Sequence, residues 1–200
     1  MAEVERSWFR VMPERLTQPL GRNLAHMLES AHELTGLQTL LDRSHADSTE
    51  HLRDIISEDR RLTAGNIVAL LTGMKVISVA TVTAAGHPRI SAMDGHFLHG
   101  TWSFSTSGAA AKARHMRARP NVSVAHVDHE ELAVFSHGRV EEMGEADPDW
   151  DETLKHWTAY YGSSPLTWGD EIRLYRYRPQ WMVGYAWKRE ELLRSRGIAP

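Results

Sequence analysis

The sequence predicts an α+β fold with a mainly β core, an antiparallel barrel or sandwich preceded by helices. The residues before Lys75 keep helical spacing, and everything after it arrives as short β-branched runs bounded by Gly and Pro. Only two helical segments interrupt those runs, without the regular alternation of a doubly wound parallel sheet.

Leu16, Leu20, Leu24, Met27, Leu28, Ala31, Leu34, Leu37 and Leu41 recur at steps of mostly three or four. That is one face of an amphipathic helix over about 15–41, broken if anywhere at Gly36. A polar stretch from Asp42 to Glu50 leads to a second helix around Leu52 and Ile55, and a third spans 64–72, with Gly73 placed to stop it. Val76 to Thr83 then reads as a buried strand. A second strand over 89–98 and a third over 101–106 join through the tight turn His99-Gly100. An Ala-rich helix over about 109–118 ends before Pro120. Strands follow over 122–127 and 132–141. Asp147-Pro148-Asp149 opens a helix running to about Tyr161. Two final strands, 171–177 and 181–187, are separated by Arg178-Pro179. The count is six or seven strands.

The 200 residues, 42% of them hydrophobic, suit one domain with a sizeable core. A formal charge of −3 argues against a general nucleic-acid binder, so any basic site is local. The absence of cysteine excludes disulfides and thiolate chemistry and makes a reducing cytoplasm the default compartment. No apolar run approaches the ~20 residues of a membrane-spanning helix, and the start of the chain has no secretory character.

Dinucleotide, P-loop, zinc-protease and serine-hydrolase signatures are all missing. The densest constellation is the third strand running into Ser105-Thr106-Ser107-Gly108 and then a helix bearing Lys112 and Arg114. Small hydroxyl residues at a helix start, where backbone N–H groups are unpaired and the dipole is positive, make a phosphate cradle. His115, Arg117 and Arg119 extend the basic character, and by composition alone this run is equally a solvated face. Across the hairpin, strand alternation puts Arg89, Ser91 and Met93 on one face, which adds a second set of donors.

These residues carry a resemblance. The run Ser78 to Ser91 with Gly86-His87-Pro88-Arg89, then Phe104-Ser105-Thr106, Lys112-Ala113-Arg114, Arg119-Pro120-Asn121-Val122 and Gly138-Arg139-Val140, in this order, resembles the pyridoxamine 5′-phosphate oxidase-like split-barrel family. It is most similar to the actinobacterial branch that uses FMN or the deazaflavin coenzyme F420. The resemblance covers about 64–187, leaving 1–63 as a helical N-terminal extension and 188–200 as a tail.

What the resemblance implies is a six-stranded split barrel, a homodimer, and a cofactor held in a groove between subunits. Arg89, Ser91, Ser105, Thr106, Ser107 and Lys112 would then hold its phosphate and ribityl chain, with Arg114 beside them and Met93 near the ring. The function implied is oxidoreduction by hydride transfer to or from a small organic substrate, with the cofactor carrying the chemistry, so no acid–base pair is singled out. The C-terminal residues by which the oxidase recognises pyridoxal phosphate have no counterpart here, and the ending is closer to the reductase branch. Trp181 and Tyr185 are candidates to line a substrate pocket, and Trp102 reads as core. His96-x-x-His99 and His126-x-x-His129 point to opposite strand faces and do not read as a metal site. Haem on a single histidine, in a non-catalytic carrier or sensor of the same fold, is the alternative.

Overall fold

The computed structural model describes residues 29–169 and 171–199. The part of the predicted first helix that precedes Glu29 lies outside them. Three helices come first: α1 (Ala31–Ala46), α2 (Glu50–Ile55) and α3 (Ala64–Leu70). Then follow β1 (Met74–Val82), β2 (Pro88–Leu98), β3 (Thr101–Ser107), α4 (Ala111–Ala118), β4 (Asn121–Asp128), β5 (Leu132–Glu142), α5 (Trp150–Tyr161), β6 (Ile172–Ala186) and α6 (Arg189–Ser195). The six strands close an antiparallel barrel in the order β1-β2-β3-β6-β5-β4.

Two expectations are corrected. The polar stretch beginning at Asp42 is largely the last turn of α1, which passes through Gly36 without a break and ends near Ala46. Its start is fixed by a capping box in which Ser30 and Glu33 satisfy each other's backbone N–H groups. The two closing strands are one, because Arg178-Pro179 sits in a register shift opposite His137/Gly138 that absorbs the missing N–H of proline. The barrel therefore has six strands, and the tail contains α6, whose Leu192 and Leu193 are buried.

Alternation builds the core. Ile77, Val79, Met93, Phe97, Trp102, Phe104, Val124, Val134, Tyr175, Tyr177 and Met182 are all buried in one cluster. His99 and Gly100 both adopt positive φ, as a two-residue hairpin turn between right-twisted strands requires. The extension is fastened to β6. Arg43 donates to the Gln180 carbonyl at 3.1 Å, Trp181 Nε1 to the Ser44 carbonyl at 3.1 Å, and the Met182 N–H to Ser44 Oγ at 2.9 Å. Among the described residues no helix is long and apolar enough to cross a membrane.

Gly138 shows how tightly the bulge is drawn: a Cβ there would overlap the Arg178 carbonyl oxygen and approach Pro179 Cα to 2.9 Å. Gly138→Ala is expected to lower unfolding free energy by about 2 kcal/mol in urea titration, in the range for forced overpacking.

Candidate functional site

The barrel opens between β2 and β3. These strands pair only over Gly95–Leu98 against Thr101–Phe104. Below that, β2 keeps only β1, with Arg89, Ser91 and Met93 opposite Thr81, Val79 and Ile77. β3 keeps β6 on its other edge, pairing Ser103–Ser107 with Ile172–Arg176. The fork lies at Asp94 and Ser105, the first residues beyond the last β2–β3 pair.

On the β2 arm, Met93 is buried, Ser91 half-buried and Arg89 exposed. Arg89 Nη1 donates to its neighbour's carbonyl at Pro88, 2.9 Å away. On the other arm, Ser105 and Ser107 are half-buried, and Thr106 faces the barrel interior alongside Trp102 and Phe104. Thr106 Oγ1 is buried without a hydrogen-bond partner among the described residues. Such an atom costs about 1–3 kcal/mol if nothing meets it.

The turn beyond is tightly made. Ser107 Oγ accepts from the Ala109 N–H at 3.2 Å and the Ser107 carbonyl from the Ala110 N–H at 3.0 Å. The Gly108 N–H donates to the Glu171 carbonyl at 2.7 Å, and a Cβ on Gly108 would press within 3.2 Å of that oxygen. α4 then starts at Ala110, which offers no side-chain cap. Lys112 stands half-buried on its first turn, and burial pulls its amine below the ordinary lysine range. Arg114 instead turns back, with Nη1 donating to the Ala109 carbonyl at 2.7 Å, so it braces the loop. His115 Nδ1 lies 3.1 Å from Thr81 Oγ1 and ties α4 to β1, the strand that carries the Arg89 arm.

These residues fit an anionic, phosphate-bearing cofactor. An uncapped helix start, a lysine whose charge is costly to bury and an orphaned threonine hydroxyl all gain from an anion or its oxygens.

Trp181 and Tyr185 stand elsewhere in the chain. Trp181 stacks on His137 with centroids 4.8 Å apart, and Tyr185 packs near Phe135 at 6.4 Å. β6 meets β3 only through Ile172–Arg176, with Leu174 opposite Ser105, so Trp181 and Tyr185 lie well along β6 beyond the fork within one chain.

A second polar cluster went unread in the sequence. His96, fully buried on the outer face of β2, places Nδ1 3.0 Å from His156 Nε2 and Nε2 3.3 Å from the Tyr161 hydroxyl. Tyr161 in turn donates to Asp94 Oδ2 at 3.2 Å. Burial, with His156 and Lys75 nearby, pushes His96 down to about 3, and burial with the Asp94 charge holds the Tyr161 phenol well above its usual range. The His96-x-x-His99 spacing places the two rings on opposite strand faces, and no local pattern connects His96 to residues sixty positions away.

His96 stays neutral in the folded chain, whereas the unfolded chain takes up a proton there near pH 6.5, so the unfolded state binds more protons at acid pH. Stability is therefore expected to fall as pH drops below about 6.5 and to keep falling toward about 3, by on the order of 4 kcal/mol from this residue. Urea titrations from pH 7.5 to 4 measure it, and a flat profile would contradict the assignment.

A six-stranded antiparallel barrel forked at one edge, with an anion-ready helix start beside the fork, defines a split-barrel protein. The family model for pyridoxamine 5′-phosphate oxidase matches residues 64–179, and the chain belongs to that family. Among solved structures it is similar to the conserved hypothetical protein Rv2991 from Mycobacterium tuberculosis, at 17% identity and TM-score 0.52, over 65% of this chain and 88% of that one. It is also similar to the Agrobacterium tumefaciens protein Atu2129, of unknown function, at 24% identity and TM-score 0.49, over 58% of this chain and only 52% of that chain. An F420 reductase matches at 23% identity and TM-score 0.46, over 57% of this chain and 93% of its own. No curated protein matches.

Proposed function

We propose that the chain is an oxidoreductase that holds FMN or coenzyme F420 by its phosphate in the split and moves a hydride to or from a small organic substrate. The observation that supports this reading is that the candidate residues fall on the two arms of the fork. Arg89, Ser91 and Met93 line the β2 arm, while Ser105, Thr106, Ser107 and Lys112 line the β3–α4 arm around the orphaned Thr106 hydroxyl. Family membership and the F420 reductase among the similar structures support it. When bound, such a ring supplies two-electron hydride chemistry. The chain's share is to neutralise the phosphate with Lys112 and the α4 N–H groups, to brace the loop through Arg114, and to hold both arms together through Thr81 and His115. A cysteine-free chain suits the reducing cytoplasm for this work.

Lys112→Ala is expected to weaken binding of whichever of FMN and F420 the protein takes by about 1.5–3 kcal/mol, the range for charge-assisted hydrogen bonds. Parallel fluorescence titrations read it. Neither cofactor binding, together with a haem Soret band, would replace this reading with the carrier alternative.

The split leaves the groove open on one side, and a second copy of the chain is the proposed cover. Val76, Ile90 and Val127 stand 58%, 74% and 56% exposed on the outer faces of β1, β2 and β4, an apolar surface suited to a homodimer. Trp181 and Tyr185, remote within one chain, would reach a substrate pocket only from the partner copy. Ile90→Asp should shift sedimentation from dimer to monomer. A monomeric wild type would remove this part of the proposal.

A further inference from the structure

Asp94, Tyr161, His96 and His156 form an unbroken hydrogen-bonded chain from the half-buried, solvent-reaching His156 on α5 to the fork of the split. Its direction follows from counting protons. Tyr161 has one hydroxyl hydrogen and spends it on Asp94, so at the Tyr161–His96 contact the ring Nε2–H must donate. A neutral His96 then has a bare Nδ1, which can only accept, so His156 Nε2–H donates to it. Every donor points toward Asp94. Aromatic rings flank the chain. Trp157 and Tyr160 lie 4.5 and 4.9 Å from the His96 ring, and Trp168 lies 4.8 Å from Tyr161. The charged and titratable groups facing it are Lys75 from β1 beside His96 and, around His156, Glu152 on α5 and His99 from the β2–β3 turn.

We propose that this chain is a proton relay that delivers one proton from solvent at His156 to Asp94, and from Asp94 to an acceptor in the split. This rests on the functional reading above, since an acceptor that takes a hydride is left one proton short. In the relay itself no electrons change hands. The O–H bond of Tyr161 breaks as one forms on Asp94 Oδ2. His96 Nε2 gives its proton to Tyr161, His156 Nε2 gives its proton to His96 Nδ1, and solvent restores His156. The carboxylic acid formed at Asp94 then protonates the acceptor and returns to carboxylate. Asp94 and Ser105 flank the fork on the same outer face, so the delivering end lies where the two arms separate.

Two measurements test the proposal. Nitrogen-15 ring NMR of the cofactor-free protein should show His96 and His156 as neutral, Nε2-protonated tautomers at pH 7, with Tyr161→Phe releasing the His96 preference. A His96 protonated at Nδ1 in the wild type would reverse the wire and overturn the relay. In stopped flow, with chemically reduced FMN or F420 and menadione as acceptor, Asp94→Ala should slow turnover at least tenfold. Cofactor affinity should stay unchanged, and added acetate buffer should restore much of the rate. An unaffected rate, or a slow rate that no small acid rescues, would also overturn it. Failure of the wild type to bind either cofactor would count against the functional reading instead, because the NMR result decides the polarity without any cofactor.

Discussion

A strand has two hydrogen-bonding edges, and β2 commits one of them to β1 from Pro88 to His96 but the other to β3 for only four residues. Everything distinctive about the molecule follows from that unequal commitment. β3 gives its other edge to β6 over Ser103–Ser107, and the barrel closes because β6 is long enough, at 15 residues, to pair with both β3 and β5. Below Gly95 that edge of β2 has no strand partner among the described residues, and such an edge is where a sheet leaves backbone groups to be met from outside.

The bulge at Gly138 makes the long strand possible. Without it, Pro179 would remove a ladder hydrogen bond in mid-sheet and β6 would divide in two. The same stretch anchors the N-terminal helices. The Ser44 carbonyl on α1 accepts from Trp181 Nε1 and its hydroxyl oxygen accepts from the Met182 N–H, so α1 depends on the strand remaining whole. Across the barrel, α5 performs a different task. Trp157 Nε1 reaches Ser103 Oγ at 3.1 Å, and the Trp157 ring packs with Tyr160 against His96 in the polar chain. A buried network of this kind is costly unless every member is satisfied, and here each donor has an acceptor.

Much of this was legible beforehand because the signals were local. The alternation that put Arg89, Ser91 and Met93 on one face operates over five residues, and the His99-Gly100 turn over two. The Ser105–Ser107 run into a basic helix is contiguous. What escaped was decided at a distance. The side chain of Arg114 folds back on Ala109, which its place on the basic helix does not record. Trp181, a plausible pocket residue by its position near the chain's end, is occupied with Ser44 and His137.

By itself, then, the sequence determined the period of each element, the turns, the mainly β class and the order of the cradle residues, because these depend on neighbours within a few positions. Only the tertiary structure decided that Arg178-Pro179 lies inside one strand, where the barrel forks, and that His96 meets His156 and Tyr161. Those outcomes depend on which strand edges pair and which helix covers them. Such long-range choices are made by the packing of the whole core, and no local spacing records them.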